Sequence, residues 1–242
     1  MSERKPYRTD LSDEQWALVE PVITTWKAAH PSVSGHQGRY AMREIVNALL
    51  YQGRTGCQWE LLPHDFPPPG AVKYYFYTWR DDGTDQTVHD LLRWQVREKA
   101  RRKADPSLVV LDTQSVHVAA GVPASAHENA VGAALLDKVV ADTDTVQKAL
   151  VDQGFKNAVV AHGQQVGIEV EIVERNPVQT GFVPIPKRWI VERAYGILML
   201  HRRLVRDYEH QPRTSESRVY WAMTAVILRR LTGATAPAWR TA

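Results

Sequence analysis

Apolar residues recur at helical spacing through the first hundred residues of the chain. In residues 11–23, LSDEQWALVEPVI, Ser12 precedes an acidic turn, and Trp16, Val19 and Val22 follow at every third position. This pattern predicts an amphipathic helix that is capped at its start. It also predicts three more helices: over 38–52, after the prolines of 64–83, and over 84–103 with Thr84 or Asp85 as its cap.

The pattern changes after residues 104–108, ADPSL, which mark a boundary between two domains. Short apolar strands then alternate with helices: strands within 107–116, 146–155 and 167–176, and helices over 128–142, 156–165, 187–208 and 215–231. Strands that alternate with helices predict a parallel sheet with helical cover. The predicted fold class is therefore α/β, with a helical N-terminal domain at 1–105 and a second domain at 106–242.

Composition excludes several classes of protein. The chain has 242 residues, 44% of them hydrophobic, and its single cysteine, Cys57, cannot form an internal disulfide. We find neither a signal-like segment nor an apolar run of membrane-spanning length, so we expect a cytoplasmic, nucleoid-associated protein with no membrane partner.

Charge is unevenly distributed along the chain. Residues 106–186 carry 4 Lys and Arg against 9 Asp and Glu, whereas residues 187–242 carry 11 against 4. An acidic segment beside a basic one suits a site that holds divalent cations and attracts a polyanion, although a solvated charged surface would look the same.

Three carboxylates stand where a parallel sheet gathers its ligand-binding groups. Asp112 and Asp152 each follow an apolar strand, and Glu192 lies on the predicted helix 187–208. Three oxygen donors from two strands and a helix suit Mg²⁺ or Mn²⁺. The alternative is that the aspartates are turn or cap residues and that Glu192 pairs with Arg188.

Five strings in order give the chain a family resemblance. VVLDTQSV, ALVDQGF and RWIVER, together with the N-terminal runs 11–23 and 38–63, resemble an insertion-sequence transposase of the DDE type. The resemblance implies an RNase-H-like core, in which Asp112, Asp152 and Glu192 form the catalytic triad. It also implies two Mg²⁺ or Mn²⁺ ions that support cutting and joining of DNA ends by phosphoryl transfer.

The resemblance also implies DNA contacts. The expected partners are double-stranded DNA, as terminal inverted repeats and target DNA, and further copies of the chain assembled on that DNA. The family often has a basic residue seven positions after the glutamate, where this chain has Met199. The expected DNA-binding residues are Arg188, Arg193, Arg202 and Arg203 near the glutamate helix, and Lys73 and Arg80 in the N-terminal helices.

The chain departs from the family between the first aspartate and the first core helix. Only 11 residues, 117–127, remain for two strands and their turns, and strands average about 5 to 6 residues. This shortage predicts a truncated core, produced by an internal deletion, in which catalysis is impaired or absent. The alternatives are a non-catalytic DNA-binding remnant or regulator, and a product that does not fold stably.

Overall fold

The computed structural model describes residues 4–31, 40–112, 128–152, 154–173 and 188–234. Its elements, in chain order, are α1 (Asp13–Ala29), α2 (Met42–Thr55), α3 (Pro69–Asp82), α4 (Thr84–Lys99), β1 (Leu108–Val110), α5 (Glu128–Asp142), β2 (Lys148–Val151), α6 (Asn157–Gln165), β3 (Glu169–Ile172), α7 (Arg188–Leu198), α8 (Arg202–Val205) and α9 (Pro212–Thr232). The described chain is thus mostly helical, with one small sheet. No helix within these ranges combines the length and the apolar character needed to cross a membrane.

The chain divides into two compact units. Unit 1 holds the described residues of Met1–Arg102 and of Leu198–Ala242, and unit 2 holds those of Lys103–Val116 and of Pro123–Ile197. The boundary at 102/103 lies close to the predicted one at 105/106. However, α9 lies in unit 1, where Trp221 and Leu228 join the core formed by the N-terminal helices. The assignment of separate functions to 1–105 and 106–242 stays a prediction.

Local sequence determines how the helices of unit 1 begin. The N–H of Gln15 donates to Ser12 Oγ at 3.2 Å, and the N–H of Ser12 donates back to Gln15 Oε1 at 3.1 Å, which completes the predicted capping box. Helix α4 differs from its prediction, because it already includes Thr84 and has Gly83 as its N-cap. The carboxylate of Asp82 accepts from both the N–H and the hydroxyl of Thr84, so Asp82 satisfies donors at this helix start.

Unit 2 contains three parallel strands in the order β1-β2-β3. Their apolar side chains and those of α5 and α6 form its core, which includes Leu136, Ala149, Phe155, Val159 and Val170. Among the described residues, β1 pairs only with β2, so it is an edge strand. A mixed fold with a small parallel sheet is therefore confirmed, while the relation of this sheet to an RNase-H-like core stays a prediction.

Close packing of α6 on β3 depends on Gly163. A Cβ added there would lie 2.3 Å from Val170 Cγ2 and 2.8 Å from the backbone oxygen of Ile168. Since the backbone of Ile168 cannot move aside cheaply, we expect Gly163→Ala to destabilise the protein by about 1–3 kcal/mol. Urea unfolding followed by far-UV circular dichroism measures this change.

Gly196→Ala is the matched control for this substitution. Gly196 lies in α7 of the same unit, and a Cβ there would meet nothing within 4 Å. Alanine in an open helical position is expected to stabilise by about 0.5–1 kcal/mol. Equal effects of the two substitutions would show that α6 does not pack on β3 as described.

The predicted helix 187–208 is wrong as one continuous element. It divides into α7 and α8, and the backbone of His201 between them leaves the helical region, at φ −96° and ψ 101°. The His201 side chain is 5% exposed and lines a narrow cavity with Leu50 and Trp221. Burial of this ring in unit 1 thus interrupts an apolar periodicity that taken alone favours one helix.

The buried ring of His201 makes stability depend on pH. Burial, reinforced by the nearby charges of Arg54 and Arg229, lowers the pKa of His201 from 6.5 to about 4. Between these two values the unfolded chain binds a proton at His201 that the folded chain does not, so stability falls as the pH falls. From pH 7 to pH 4 we expect this residue to remove about 3 kcal/mol of unfolding free energy.

Comparison of two variants isolates this contribution. In His201→Gln, the loss of unfolding free energy between pH 7 and pH 4 should shrink by about 3 kcal/mol. His210→Gln is the control, because His210 is exposed and should leave the pH profile as it is in the parent chain. Urea titrations at several pH values in phosphate-free buffer measure both, and parallel profiles for the two variants would contradict the prediction.

Candidate functional site

Two of the predicted acidic residues lie side by side at the carboxyl edge of the sheet. The pairs Leu108–Lys148 and Val110–Leu150 share an offset of 40 residues, and the ladder continues, since the N–H of Leu111 donates to Leu150 O at 2.8 Å. The same offset places Asp112 opposite Asp152. Neighbouring strands are about 4.8 Å apart, so both carboxylates start from adjacent backbone positions.

A turn fixes the second of these carboxylates. Asp152 Oδ1 accepts the N–H of Gly154 at 2.9 Å, and the N–H of Phe155 donates to the Asp152 carbonyl at 3.3 Å. The carboxylate itself stays exposed. The alternative interpretation, that Asp152 is a turn residue, is therefore correct. The other oxygen of its carboxylate lies outside the turn, where it faces solvent or a ligand.

Helix α7 approaches the same edge through Tyr195. The Tyr195 hydroxyl donates a long hydrogen bond, 3.4 Å, to the backbone carbonyl of Asp112. Burial, together with the negative charges of Asp112 and Asp152, raises the pKa of Tyr195 to about 12. The phenol thus stays protonated and remains a donor beside the two aspartates at physiological pH.

The third predicted acid lies on this helix but does not complete a cluster. Glu192 is exposed and lies one turn before Tyr195, on the same side of α7. Within the described ranges, no three acidic, histidine or cysteine side chains lie close enough to hold one metal ion. The structure thus brings Asp112 and Asp152 together and places α7 beside them, without bringing the Glu192 carboxylate into the pair. Arg193 is exposed next to Glu192, and Arg188 begins α7.

The two basic residues predicted to bind DNA in the N-terminal helices are already ion-paired. Lys73 Nζ lies 2.6 Å from Glu60, and Arg80 binds Asp81 and donates to Thr214 Oγ1 at 2.7 Å. Tyr74 is exposed on α3, whereas its aromatic neighbours Tyr75, Phe76 and Trp79 are buried. The aromatic stretch is therefore mainly core, and a DNA role for Lys73 and Arg80 stays a prediction that requires exchange of these pairs.

Arg202 and Arg203 differ in what surrounds them. Arg203 binds Glu209, with 2.9 Å between Nη2 and Oε1, and its guanidinium lies over the Tyr208 ring. Arg202 is exposed and lies beside Gly56. A Cβ added to Gly56 would be 3.1 Å from the Cβ of Arg202. Of these two arginines, Arg202 is the better placed to meet a phosphate.

The sequence analysis gave no role to two residues, one in each unit, that make notable polar contacts. Tyr195 lies one turn after Glu192 on the predicted helix 187–208, and this position was a usable signal. The second is Arg218, whose guanidinium is buried and binds Glu209. The predicted deletion, at 117–127, lies outside the described residues.

Comparison with known proteins gives a family match in the N-terminal part of the chain. Residues 11–89 match a family model described as "Putative transposase of IS4/5 family (DUF4096)". No match was found among curated proteins or among solved structures. The matched region covers α1 to the first half of α4 and contains none of the three acidic residues. This part of the chain is thus similar to a transposase family of the IS4/5 type, and the predicted resemblance to an insertion-sequence transposase is confirmed.

Proposed function

We propose that this protein is a DNA transposase of the insertion-sequence type, in which Asp112, Asp152 and Glu192 support metal-dependent cleavage and joining of DNA ends at an impaired rate. The observation that carries the proposal is the position of Asp112 and Asp152 just beyond the paired ends of two neighbouring parallel strands. The match of residues 11–89 to a transposase family supports it independently.

The donor set at this edge fits a hard divalent cation. Carboxylate oxygens are the ligands that Mg²⁺ and Mn²⁺ prefer, and Asp112 and Asp152 offer them from adjacent positions. Asp112 and Asp152 would hold such an ion, which would supply activation of the attacking oxygen and stabilisation of the leaving oxygen at phosphorus. In hydrolysis, a water oxygen forms the new bond to phosphorus while the bond to the 3′ oxygen breaks, which leaves a 3′-hydroxyl and a 5′-phosphate.

Residues of α7 complete the proposed site. The Tyr195 hydroxyl ties α7 to the end of β1, and Glu192 would join the two aspartates once α7 adjusts on the bound DNA and metal. Arg188 and Arg193 flank Glu192 and would contact the DNA backbone, as would Arg202, Arg203, Lys73 and Arg80 in unit 1. Double-stranded DNA is then the partner, with further copies of the chain assembled on it.

The same geometry explains why we propose an impaired rate. The described strands form three parallel neighbours with β1 at the edge of the described sheet, and in our proposal they are what remains of a truncated RNase-H-like core. A strand at the edge of a three-stranded sheet would position Asp112 less firmly than a central strand, and a displacement of about 1 Å costs on the order of a hundredfold in rate.

A nicking assay on the purified full chain tests this function. Labelled duplexes that carry the DNA flanking its own gene are incubated with Mg²⁺, Mn²⁺ or EDTA, and binding is measured on the same samples. We expect salt-sensitive binding and slow nicking that requires the metal. Nicking that persists in EDTA, or no duplex binding at low salt, would overturn the proposal.

The second candidate is a DNA-binding protein without strand cleavage. It is favoured by the absence of a three-acid cluster among the described residues. Binding of the flanking duplex with no nicking in either metal would select this function over the first.

A further inference from the structure

Helices α4 and α9 of unit 1 run in the same direction and end together. The rings of His89 and Tyr220 lie 5.2 Å apart, and at the helix ends Lys99 Nζ donates to the backbone oxygen of Leu231 at 2.6 Å. Both contacts join residues that are separated by almost the same length of chain, so the two helices advance in parallel. Their C-terminal turns therefore meet and form one surface, which we call the α4–α9 end.

The α4–α9 end is basic. Residues 95–102 and 228–234 carry six Lys and Arg against one acid, Glu98. The carbonyl groups at a helix C-terminus carry about half a negative charge, so two helices offset about one of the positive charges. A surface that keeps this excess of positive charge attracts a polyanion.

The acidic first turn of α1 lies on the other side of α9. Gln15, in that turn, donates to Thr232 Oγ1 at 3.3 Å. Arg230 lies two residues before Thr232, which is about 200° around an α-helix. The acids at the start of α1 thus lie away from the side of α9 that carries Arg230.

Three arginines of the α4–α9 end are available to a ligand. Arg101, Arg102 and Arg230 are exposed, and within the described ranges their side chains have neither an ion pair nor a hydrogen bond. In contrast, Lys73 and Arg80 of α3 are bound to acids. A phosphate can therefore bind the three arginines without displacing a carboxylate.

The backbone at the end of α4 holds Arg101 in a conformation that favours glycine. Its φ is 55°, and left-handed backbone is costly for residues that carry a Cβ. The N–H of Arg101 donates to Glu98 O at 2.8 Å and the N–H of Arg102 to Arg97 O at 2.9 Å, which are the two bonds of a Schellman motif. The other described residues with positive φ are all glycines, namely Gly56, Gly83, Gly167 and Gly233. The helix end alone thus does not account for an arginine at this position.

We propose that the α4–α9 end holds the phosphate backbone of duplex DNA through Arg101, Arg102 and Arg230. This rests on the proposed function, which supplies the DNA, and it adds a contact surface to the six basic residues predicted from the sequence. Exposed guanidinium groups donate forked hydrogen bonds to phosphate oxygens. Contacts of this kind position the duplex without reading its sequence.

The salt dependence of DNA binding measures this surface directly. Each phosphate neutralised contributes about −0.9 to the slope of log K against log salt, or about 3.5-fold in affinity between 50 and 200 mM. We expect Arg101→Gly, Arg102→Gln and Arg230→Gln each to reduce the steepness of the slope by about 0.9, and the triple variant to reduce it by about 2.7. Fluorescence anisotropy of a labelled duplex in EDTA measures these slopes.

Arg213→Gln is the matched control. Arg213 is exposed in the first turn of the same helix, about 25 Å from Arg230 along the helix axis. Its substitution removes the same charge from unit 1 and should leave the slope as it is in the parent chain. Equal loss in the control would overturn the proposal in favour of a diffuse basic surface.

Arg101→Gly separates DNA binding from helix stability. Glycine relieves the left-handed backbone at the end of α4, so the melting temperature of this variant should equal or exceed that of the parent chain while its duplex binding weakens. A lower melting temperature with unchanged duplex binding would show that Arg101 serves the helix end, and would overturn its role in DNA binding.

The slopes and the nicking assay together distinguish this surface from the proposed function. Reduced slopes in the variants, with no nicking by the parent chain, would support the surface and overturn strand cleavage. Nicking by the parent chain, with an unchanged slope in the triple variant, would overturn the surface and leave cleavage standing. If the parent chain binds no duplex but binds phosphatidylglycerol vesicles, and the triple variant does not, both are overturned in favour of a membrane surface.

Discussion

Asp112→Asn is expected to slow metal-dependent nicking by at least about a hundredfold while duplex affinity stays unchanged. Asparagine keeps the shape of the side chain but removes the negative charge that a divalent cation requires. A bound metal ion supplies several kcal/mol of transition-state stabilisation, and each 1.4 kcal/mol, roughly, is a factor of ten in rate. Single-turnover nicking with Mn²⁺, at protein concentrations well above the dissociation constant, measures this loss.

Asp152→Asn should produce the same loss of nicking rate, because it removes the charge of the side chain but keeps the local structure. Its amide oxygen can still accept the N–H of Gly154, so the turn after β2 survives while the charge is lost. In the proposed mechanism the two aspartates hold one ion together, so the double variant should be little slower than either single variant. Asp144→Asn is the control, since Asp144 is an exposed acid of the same unit. Equal rates for Asp112→Asn and Asp144→Asn would show that the pair has no part in cleavage.

The sequence predicted those elements that local interactions determine. Ser12 and Gln15 specify the start of α1 within four residues, and α5 spans the predicted residues 128–142. The strand ends that carry Asp112 and Asp152 were also predictable, because an acid after an apolar run needs a reason to be there. What the sequence could not show is that the two strands pair at an offset that places these residues opposite each other.

Other features depend on contacts that are distant in sequence. The periodicity of 187–208 favours one helix, yet burial of the His201 ring divides it. The apolar face of α9 predicts that the helix packs, but not that its partners are the N-terminal helices. Likewise, Lys73 and Arg80 look available on a helix, and only the structure shows that Glu60 and Asp81 bind them.

Glu209 connects α9 to the segment before it through two buried arginines. Its Oε1 lies 2.9 Å from Arg203 Nη2 and 3.2 Å from Arg218 Nε, and the three side chains are 10%, 13% and 4% exposed. The Arg218 guanidinium lies over the rings of Phe76 and Trp59, at 4.1 and 4.8 Å, and it also donates to Gln52 Oε1. Burial lowers the pKa of Arg218 to about 10, so this residue is still a cation at neutral pH.

Within the part of the chain that the structure describes, removing the carboxylate leaves both cations without a counter-charge. We therefore expect Glu209→Gln to reduce the free energy of unfolding by about 3–5 kcal/mol, because breaking a buried pair strands the remaining charge. Urea unfolding followed by tryptophan fluorescence is a suitable measurement, since the described tryptophans other than Trp189 lie in unit 1. The double variant, with Arg218→Met added to Glu209→Gln, should lose less free energy of unfolding than the two single variants together. This is because the stranded Arg218 charge is then removed.

Glu60→Gln is the matched control, because it makes the same chemical change in an exposed pair. Glu60 lies 2.6 Å from Lys73, a shorter distance than either contact of Glu209, but its side chain is 68% exposed. Water screens that pair, so the change should cost far less unfolding free energy than Glu209→Gln. If the two substitutions destabilised the protein equally, burial would not be what makes Glu209 important. The hypothesis that Arg218 anchors α9 would then be wrong. If Glu209→Gln instead costs several times more unfolding free energy than Glu60→Gln, the buried ion pairs of Glu209 hold residues 203–209 on the helical unit, and the helix periodicity does not.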